Sequence, residues 1–221
     1  MITVNLVPIF ATPFAVVDLP QLAALNAPLA ARLTAQATPE QADPAFRPDP
    51  LCFRSRETLL ESREPLLAEV FQGLIAGLCE AVMETNVMKR EEFVELSMQA
   101  RSRFTIVRPD GALPAATAPL ASWYGLYCVA TPPPSPTRAD SALLRLYAVR
   151  GAQTFIDAAS FRMREPYSGS HYTWRPVAGQ MAVFPGSMLH EVAMNRSDTD
   201  LILIAMRARF AHGEQLGLPG W

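Results

Sequence analysis

Residues 98–107 read Met-Gln-Ala-Arg-Ser-Arg-Phe-Thr-Ile-Val, and at this stretch the hydrophobic pattern of the chain changes its period. Alternating segments follow at 122–130, 143–149, 153–157, 172–176, 180–184 and 201–210, separated by clusters of Pro, Gly, Asn and Asp. Many short strands at such spacing, without helices between them, are typical of a sandwich or barrel. We therefore expect about seven or eight strands after residue 95 to close as an antiparallel two-sheet β jelly-roll.

The chain before this stretch has a helical period. Asp18 can cap a helix that has Pro20 in its first turn, and a broad apolar stripe with Pro65 near its start predicts a longer helix over 62–86. A short strand is expected at 3–9, and the four prolines of 38–54 indicate a loop. The first helix is predicted from leucines that recur at three- and four-residue steps: Leu22, Leu25, Leu29 and Leu33.

The fold class that follows is α+β, with a helical layer packed on the jelly-roll. A chain of 221 residues is long enough for one domain with a substantial core. We expect a single domain over 1–221, in which 1–95 supply a strand and supporting helices and 96–212 form the jelly-roll.

Composition narrows the functional classes. A formal charge of −2 gives no electrostatic reason to expect nucleic acid or an acidic membrane as a partner. No apolar run reaches the roughly 18 residues of a membrane span, and the start lacks a secretory signal pattern. The three cysteines contain no C-x-x-C pair, so neither a disulfide framework nor a zinc knuckle is indicated. We expect a cytoplasmic protein that binds a small molecule, with a homodimer as one possible assembly.

Three segments in order carry a family resemblance, together with the opening Val7-Pro-Ile-Phe-Ala-Thr-Pro13 and Leu25-Asn26. They are Asp110-Gly-Ala-Leu-Pro-Ala-Ala-Thr-Ala-Pro-Leu-Ala-Ser-Trp-Tyr-Gly-Leu-Tyr-Cys-Val129, Gly151-Ala-Gln-Thr-Phe-Ile-Asp157 and Pro176-Val-Ala-Gly-Gln-Met-Ala-Val-Phe-Pro-Gly-Ser-Met-Leu-His190. This set resembles a bacterial and phage family of 2-oxoglutarate/iron(II)-dependent oxygenases. The resemblance implies a double-stranded β-helix, which is a cupin-like jelly-roll.

The resemblance also implies a ligand set that this chain mostly lacks. Family members hold iron(II) with two histidines and usually a carboxylate, and an arginine pairs with the far carboxylate of 2-oxoglutarate. The His-x-His-Pro form of the family falls here on Ala116-Thr-Ala118-Pro, and the arginine position falls on Leu201. His190 stands where the family keeps its second histidine, and Asp157 matches an aspartate of a Phe-x-Asp-Pro element whose proline is Ala158 here.

Further residues are candidates for lining a ligand pocket. Arg101 and Arg103 share one face of the strand at 98–107 and point either to solvent or into the barrel, where they would make an anion site. Arg207 lies six residues beyond Leu201, about 20 Å along the strand, so it faces the other end of the barrel. The complete set of pocket candidates is Tyr124, Tyr127, Asp157, His190, Arg101 and Arg103.

Three functional hypotheses remain open. The first is a degenerate oxygenase relative without iron or 2-oxoglutarate that serves as a small-molecule-binding or regulatory protein. The second is an active dioxygenase whose iron ligands come from Asp110, Asp157 or His171 together with His190. The third is metal-free acid–base catalysis by His190 with Glu191 or Asp157. Neighbouring strand residues face opposite sides of a sheet, which argues against the pair His190 and Glu191.

Overall fold

A computed structural model describes residues 11–134, 138–147 and 171–212 of the chain. The helices are α1 (Asn26–Gln36), α2 (Pro65–Glu84) and α3 (Arg90–Val94), with short 3-10 helices at Pro20–Leu25, Pro39–Gln41 and Leu59–Glu61. The strands are β1 (Ala15–Asp18), β2 (Cys52–Arg54), β3 (Leu96–Val107), β4 (Leu113–Ala116), β5 (Trp123–Ala130), β6 (Leu144–Tyr147), β7 (His171–Trp174), β8 (Gln180–Pro185), β9 (Leu189–Val192) and β10 (Leu201–His212).

The described strands form two antiparallel sheets. The larger has the order β1-β8-β5-β10-β3-β2, and the smaller has the order β4-β9-β6-β7. Eight of these strands follow residue 95, so the predicted jelly-roll and its α+β class are confirmed. The prediction for 153–157 and the strand expected at 3–9 lie outside the described residues.

The larger sheet is buried on both faces, and this explains the apolar run at the start of β10. Leu201 and Leu203 point between the two sheets, whereas Ile202 and Ile204 point toward the helices. Because successive side chains of a strand face opposite sides, a strand covered on both faces needs apolar residues at every position. The helices α1 and α2 pack on this sheet, as the sequence predicts.

Two local expectations are corrected, and some short elements are added. Asp18 caps no helix; it ends β1, and its carboxylate accepts a hydrogen bond of 2.8 Å from the Gln180 amide. The predicted loop at 38–54 contains β2, which pairs with β3. The short elements β4, β9 and α3 were not predicted, because four or five residues are too few to show a period.

Helix α2 is long and apolar enough, by length and composition, to span a membrane. Its stripe of Leu67, Val70, Leu74 and Leu78 is buried in the core that the helices share with the larger sheet. A core helix of a globular domain has the same length and composition, and the contacts of α2 are those of a core helix.

Candidate functional site

Strand β4 and the loop after it carry the residues that match the family's first ligand motif. In the pairing of β4 with β9, Ala116 lies directly opposite His190. Paired antiparallel residues share a face and have Cβ atoms about 4.5–5.5 Å apart, so a histidine at 116 would stand beside His190. Ala118 is 3% exposed and belongs to the apolar cluster between the sheets. The structure thus brings Ala116 and His190 together at one position of the smaller sheet.

The turn at Gly186 holds this loop in place. The Ala118 N–H donates to the Gly186 carbonyl at 2.8 Å, and the Gly186 N–H donates to the Ser122 carbonyl at 3.1 Å. A Cβ at position 186 would lie 2.4 Å from the Ala121 carbonyl oxygen, so only glycine fits there. The backbone geometry beside His190 is therefore closely determined, although the alanine side chains offer no donor atoms.

His190 is held in a defined ring orientation. Its ring centroid lies 4.8 Å from that of Tyr124 and 5.1 Å from that of Phe184. Its Nδ1 is 3.0 Å from the Met188 carbonyl oxygen, and since a carbonyl only accepts, Nδ1 is the protonated nitrogen. Burial lowers the pKa of His190, the Met188 carbonyl opposes this, and the nearby Arg103 guanidinium lowers it further. The imidazole is thus held neutral, with the Nε2 lone pair available.

The space between the two sheets below His190 is filled by apolar side chains. Leu201, which the resemblance aligns with the family's arginine, is 0% exposed and packs in this cluster with Val107 and Leu203. The other members include Leu126, Cys128, Leu144, Leu146 and Val192, each at most 4% exposed. Leu201 and Arg207 lie six residues apart on β10, about 20 Å along the strand, so the buried Leu201 lies far from the end of the barrel where Arg207 is.

A cluster of arginines lies at the other end of this inner face, next to His190. Arg207 is the β10 partner of Tyr124, and Arg103 lies one inward-facing position deeper on β3. The Arg103 and Arg207 side chains are 18% and 14% exposed. Of the two orientations open to Arg103 from sequence, the inward one is observed, whereas Arg101 is exposed.

Two carboxylates from the segment before α2 pair with these arginines. Glu57 places one oxygen 3.1 Å from Arg103 and the other 2.7 Å from Arg207. Asp43 lies 3.0 Å from Arg54 on β2 and 3.7 Å from Arg103. Burial, and then the neighbouring Arg103 cation, lower the pKa of Arg54, while its Asp43 partner opposes this. The barrel mouth therefore contains an ion-pair network beside the retained histidine.

The remaining sequence-predicted residues lie elsewhere. Tyr127 is on the opposite face of β5 from Tyr124, fully buried toward the helices, and its hydroxyl donates to Asn26 Oδ1 at 2.7 Å. Asp110 is in the turn after β3, where its carboxylate pairs with Arg196 at 3.1 Å. His171 is exposed at the start of β7. Asp157 lies outside the described residues.

The alternative chemistries can be compared with these positions. Glu191 accepts hydrogen bonds from Tyr147 at 2.8 Å and Arg145 at 3.1 Å, whereas His190 contacts Tyr124 and Phe184 on the other side of β9. The two neighbours do not converge, as the strand geometry predicts. Within residues 11–134, 138–147 and 171–212, no group of three His, Cys, Asp or Glu side chains is arranged to hold a metal ion.

Sequence reasoning missed Asp43, Glu57, Arg54 and Arg207 as members of the site. Arg207 is indeed distant from Leu201, but the end of the barrel that it faces is the end where Tyr124 and His190 lie. Asp43 and Glu57 come from an irregular, proline-containing segment whose contacts with β3 and β10 are all long-range. No period or motif marks such residues, although the inward alternation of Arg103 was a usable signal.

Comparisons with known proteins place this geometry in a structural class. No protein-family sequence model matches the chain, and no curated protein sequence matches it. Among solved structures, a prolyl-4-hydroxylase from Pseudomonas putida superposes with a TM-score of 0.57 at 13% identity, over 90% of this chain and 92% of that one. The chain has the fold of the 2-oxoglutarate/iron(II) oxygenases.

Two further structures support this assignment of the double-stranded β-helix. HygX from Streptomyces hygroscopicus, solved with nickel and 2-oxoglutarate bound, gives a TM-score of 0.54 at 14% identity, with 89% of this chain and 82% of that one covered. The non-heme alpha-ketoglutarate-dependent epimerase SnoN from nogalamycin biosynthesis gives a TM-score of 0.56 at 8% identity, with coverage of 89% and 78%. At these identities the comparison supports the fold expected from the resemblance.

Proposed function

We propose that this protein is an oxygenase-fold protein that has lost iron(II) and 2-oxoglutarate binding and instead binds another small molecule, as a binding or regulatory protein. The observation that carries the proposal is the surroundings of His190. Ala116 lies opposite the histidine, Ala118 is in the apolar cluster, and the Arg103 guanidinium helps to lower the pKa of the imidazole.

The donor set at this position does not fit a resident iron(II). A single neutral imidazole supplies one coordinate bond, whereas an oxygenase iron needs two histidines and usually a carboxylate. The missing ligands therefore oppose metal binding.

The interior does not fit 2-oxoglutarate either. The co-substrate is a dianion whose far carboxylate needs a buried cation, as bidentate arginine provides. At the corresponding position Leu201 is fully buried among apolar side chains. Burying an unpaired carboxylate in such surroundings costs several kcal/mol, at least about 3. This argument is independent of the argument for the metal.

Metal and co-substrate binding test the proposal directly. Protein purified anaerobically with added iron(II) is expected to contain no stoichiometric iron, and millimolar 2-oxoglutarate is expected to leave its Tm unchanged. A ligand at a hundred times its Kd would stabilise the fold by about 2.7 kcal/mol, which a melting curve readily detects. The matched control is His190→Ala, which should give the same two results if the wild type binds neither.

The opposite outcome would support the active dioxygenase with non-standard ligands. In that case iron would be stoichiometric in the wild type and lost in His190→Ala, and 2-oxoglutarate would be decarboxylated with release of CO₂. Asp157 would then be the first residue to substitute, since its carboxylate could complete an iron site. Either stoichiometric iron or turnover of 2-oxoglutarate rejects the proposal.

A further inference from the structure

The helix-facing side of the larger sheet has an open pocket beside α2 and α3. Helix α2 ends at Glu84, and α3 begins at Arg90 and has only five residues, of which Phe93 is buried. The pocket has a volume of about 140 Å³. Six apolar residues line it: Val82, Met88, Phe93, Leu96, Trp123 and Phe210. All six belong to or pack against the core that the helices share with this sheet, so the pocket lies on the other face of the sheet from His190.

Aromatic rings form much of the pocket wall. The rings of Phe93 on α3 and Phe210 on β10 have their centroids 5.1 Å apart and are tilted by 49°. Trp123 begins β5 opposite Ala208, which is two residues before Phe210 on β10, so Trp123 and Phe210 face the same side of the sheet. Aromatic rings attract one another beyond the effect of their buried area, and the Met88 thioether also favours contact with a ring. The wall therefore suits a planar aromatic ligand better than a saturated one.

Two polar residues, Asn86 and Ser122, complete the lining. Both are exposed, so they stand at the open side of the pocket. The Asn86 amide donates from Nδ2 to the Val82 carbonyl at 2.6 Å, which leaves Oδ1 as the acceptor that it can offer a ligand. The backbone of Ser122 is fixed, because its N–H donates to the Ala208 carbonyl at 3.0 Å and its carbonyl accepts from the Gly186 N–H at 3.1 Å. An apolar pocket with a few placed polar groups is the usual form of a small-molecule site.

The volume of the pocket indicates the size of the ligand. An engineered apolar cavity of about 150 Å³ in another protein binds benzene, so a pocket of about 140 Å³ holds one six-membered ring. Water in a space with mostly apolar walls finds few hydrogen-bond partners, and its displacement by an apolar group favours binding. Substituents on the ring would leave the pocket past the exposed Asn86 and Ser122.

We infer that this pocket binds a monocyclic aromatic molecule that carries one hydrogen-bond donor, as a phenol does. The ring would lie against Phe93, Trp123 and Phe210, and its donor would meet the Asn86 carbonyl oxygen. This site goes beyond the function proposed for the barrel mouth and does not depend on it, because the two lie on opposite faces of the larger sheet.

NMR titration of the full chain with phenol tests the inference. The variants Trp123→Phe and Trp174→Phe each remove one indole N–H signal and so identify the signals of these two residues. Phenol should shift the Trp123 signal saturably, with a Kd on the order of 1 mM, and leave the signal of Trp174, which is buried between the sheets, unchanged. Cyclohexanol keeps the hydroxyl without the planar ring, and toluene keeps the ring without the donor. Each should bind at least about fivefold more weakly than phenol.

Substitutions in the pocket locate the binding. Met88→Phe places a ring of the protein in the pocket and should weaken phenol binding at least about tenfold. The matched control is Met194→Phe at an exposed methionine after β9, which should leave the affinity unchanged. Asn86→Ala should weaken the binding of phenol about fivefold and leave that of toluene unchanged. Should Met88→Phe not fold, Ser122→Leu fills the pocket from its exposed side and should weaken phenol binding in the same way.

The remaining outcomes overturn the inference. No shift of the Trp123 signal, a shift that does not saturate, or equal shifts of Trp123 and Trp174 would show that the pocket holds no specific ligand of this class. Unchanged affinity in Met88→Phe and Ser122→Leu would place the binding elsewhere. Equal affinity for phenol, cyclohexanol and toluene would show that the pocket selects neither the ring nor the donor.

Discussion

Replacing Leu201 by arginine tests whether the oxygenase co-substrate pocket has been closed by apolar packing. Leu201 is fully buried, with a relative exposure of 0%, in the apolar cluster between the sheets. Loss of the buried leucine costs about 2 kcal/mol, and an unpaired guanidinium in the same place adds about 3 kcal/mol or more. We expect Leu201→Arg to lower the free energy of unfolding by about 5 kcal/mol.

Urea unfolding followed by circular dichroism measures this loss. The matched control is Leu189→Arg on β9, where the leucine is 40% exposed and the same substitution should change stability by less than about 1 kcal/mol. Because Leu201→Arg approaches the whole stability of a typical domain, Leu201→Gln provides a milder test, with an expected loss of about 3 kcal/mol. A loss below about 1 kcal/mol for Leu201→Arg, or stabilisation of that variant by 2-oxoglutarate, would refute the reasoning.

Three further substitutions or reagents give independent checks. Ala116→His should create a cross-strand pair with His190, so that millimolar nickel raises the Tm of this variant and not that of wild type; equal shifts would contradict the observed register. Tyr127→Phe should lose about 1 kcal/mol at pH 8 through the hydrogen bond to Asn26. Burial raises the pKa of Tyr127 to about 12 from an ordinary value near 10, so the neutral tyrosine contributes stability below pH 10 that is lost as pH rises toward 12. Urea unfolding should therefore show that the stability deficit of Tyr127→Phe shrinks over that pH range. A constant deficit would count against this burial. Burial also raises the pKa of the Cys128 thiol to about 12, so iodoacetamide at pH 8 should label the partly exposed Cys79 first, and mass spectrometry that finds Cys128 labelled first in folded protein would contradict the packing.

Long periodic segments explain how much of the fold is predictable from sequence. The alternation of 98–107 and 201–210 and the stripe of 62–86 each extend over ten residues or more, and the corresponding β3, β10 and α2 match them closely. Strands β4 and β9 have four residues each, too few for a period, and they were missed although they carry Ala116 and His190. The ligand motif of the resembled family predicted that Ala116 and His190 lie close together, and no strand propensity predicted this.

By itself, the sequence determined the alternation of apolar residues, and with it the two-sheet architecture and the opposite facing of Tyr124 and Tyr127, but it listed both as pocket residues, whereas Tyr127 faces the helices. Chemistry that depends on residue identity, such as the absence of donor atoms at Ala116 and Ala118, was also readable without coordinates. These properties are local, since the face that a residue occupies follows from its position in a strand.

Only the tertiary structure decided which end of the barrel each cation occupies and which carboxylate it meets. Glu57 lies 46 positions before Arg103 and 150 before Arg207 in the chain, yet one carboxylate joins both guanidiniums. No local pattern encodes that contact, because closing so long a loop depends on the packing of the whole sheet. The pairing of these charges at the barrel mouth arises from that packing.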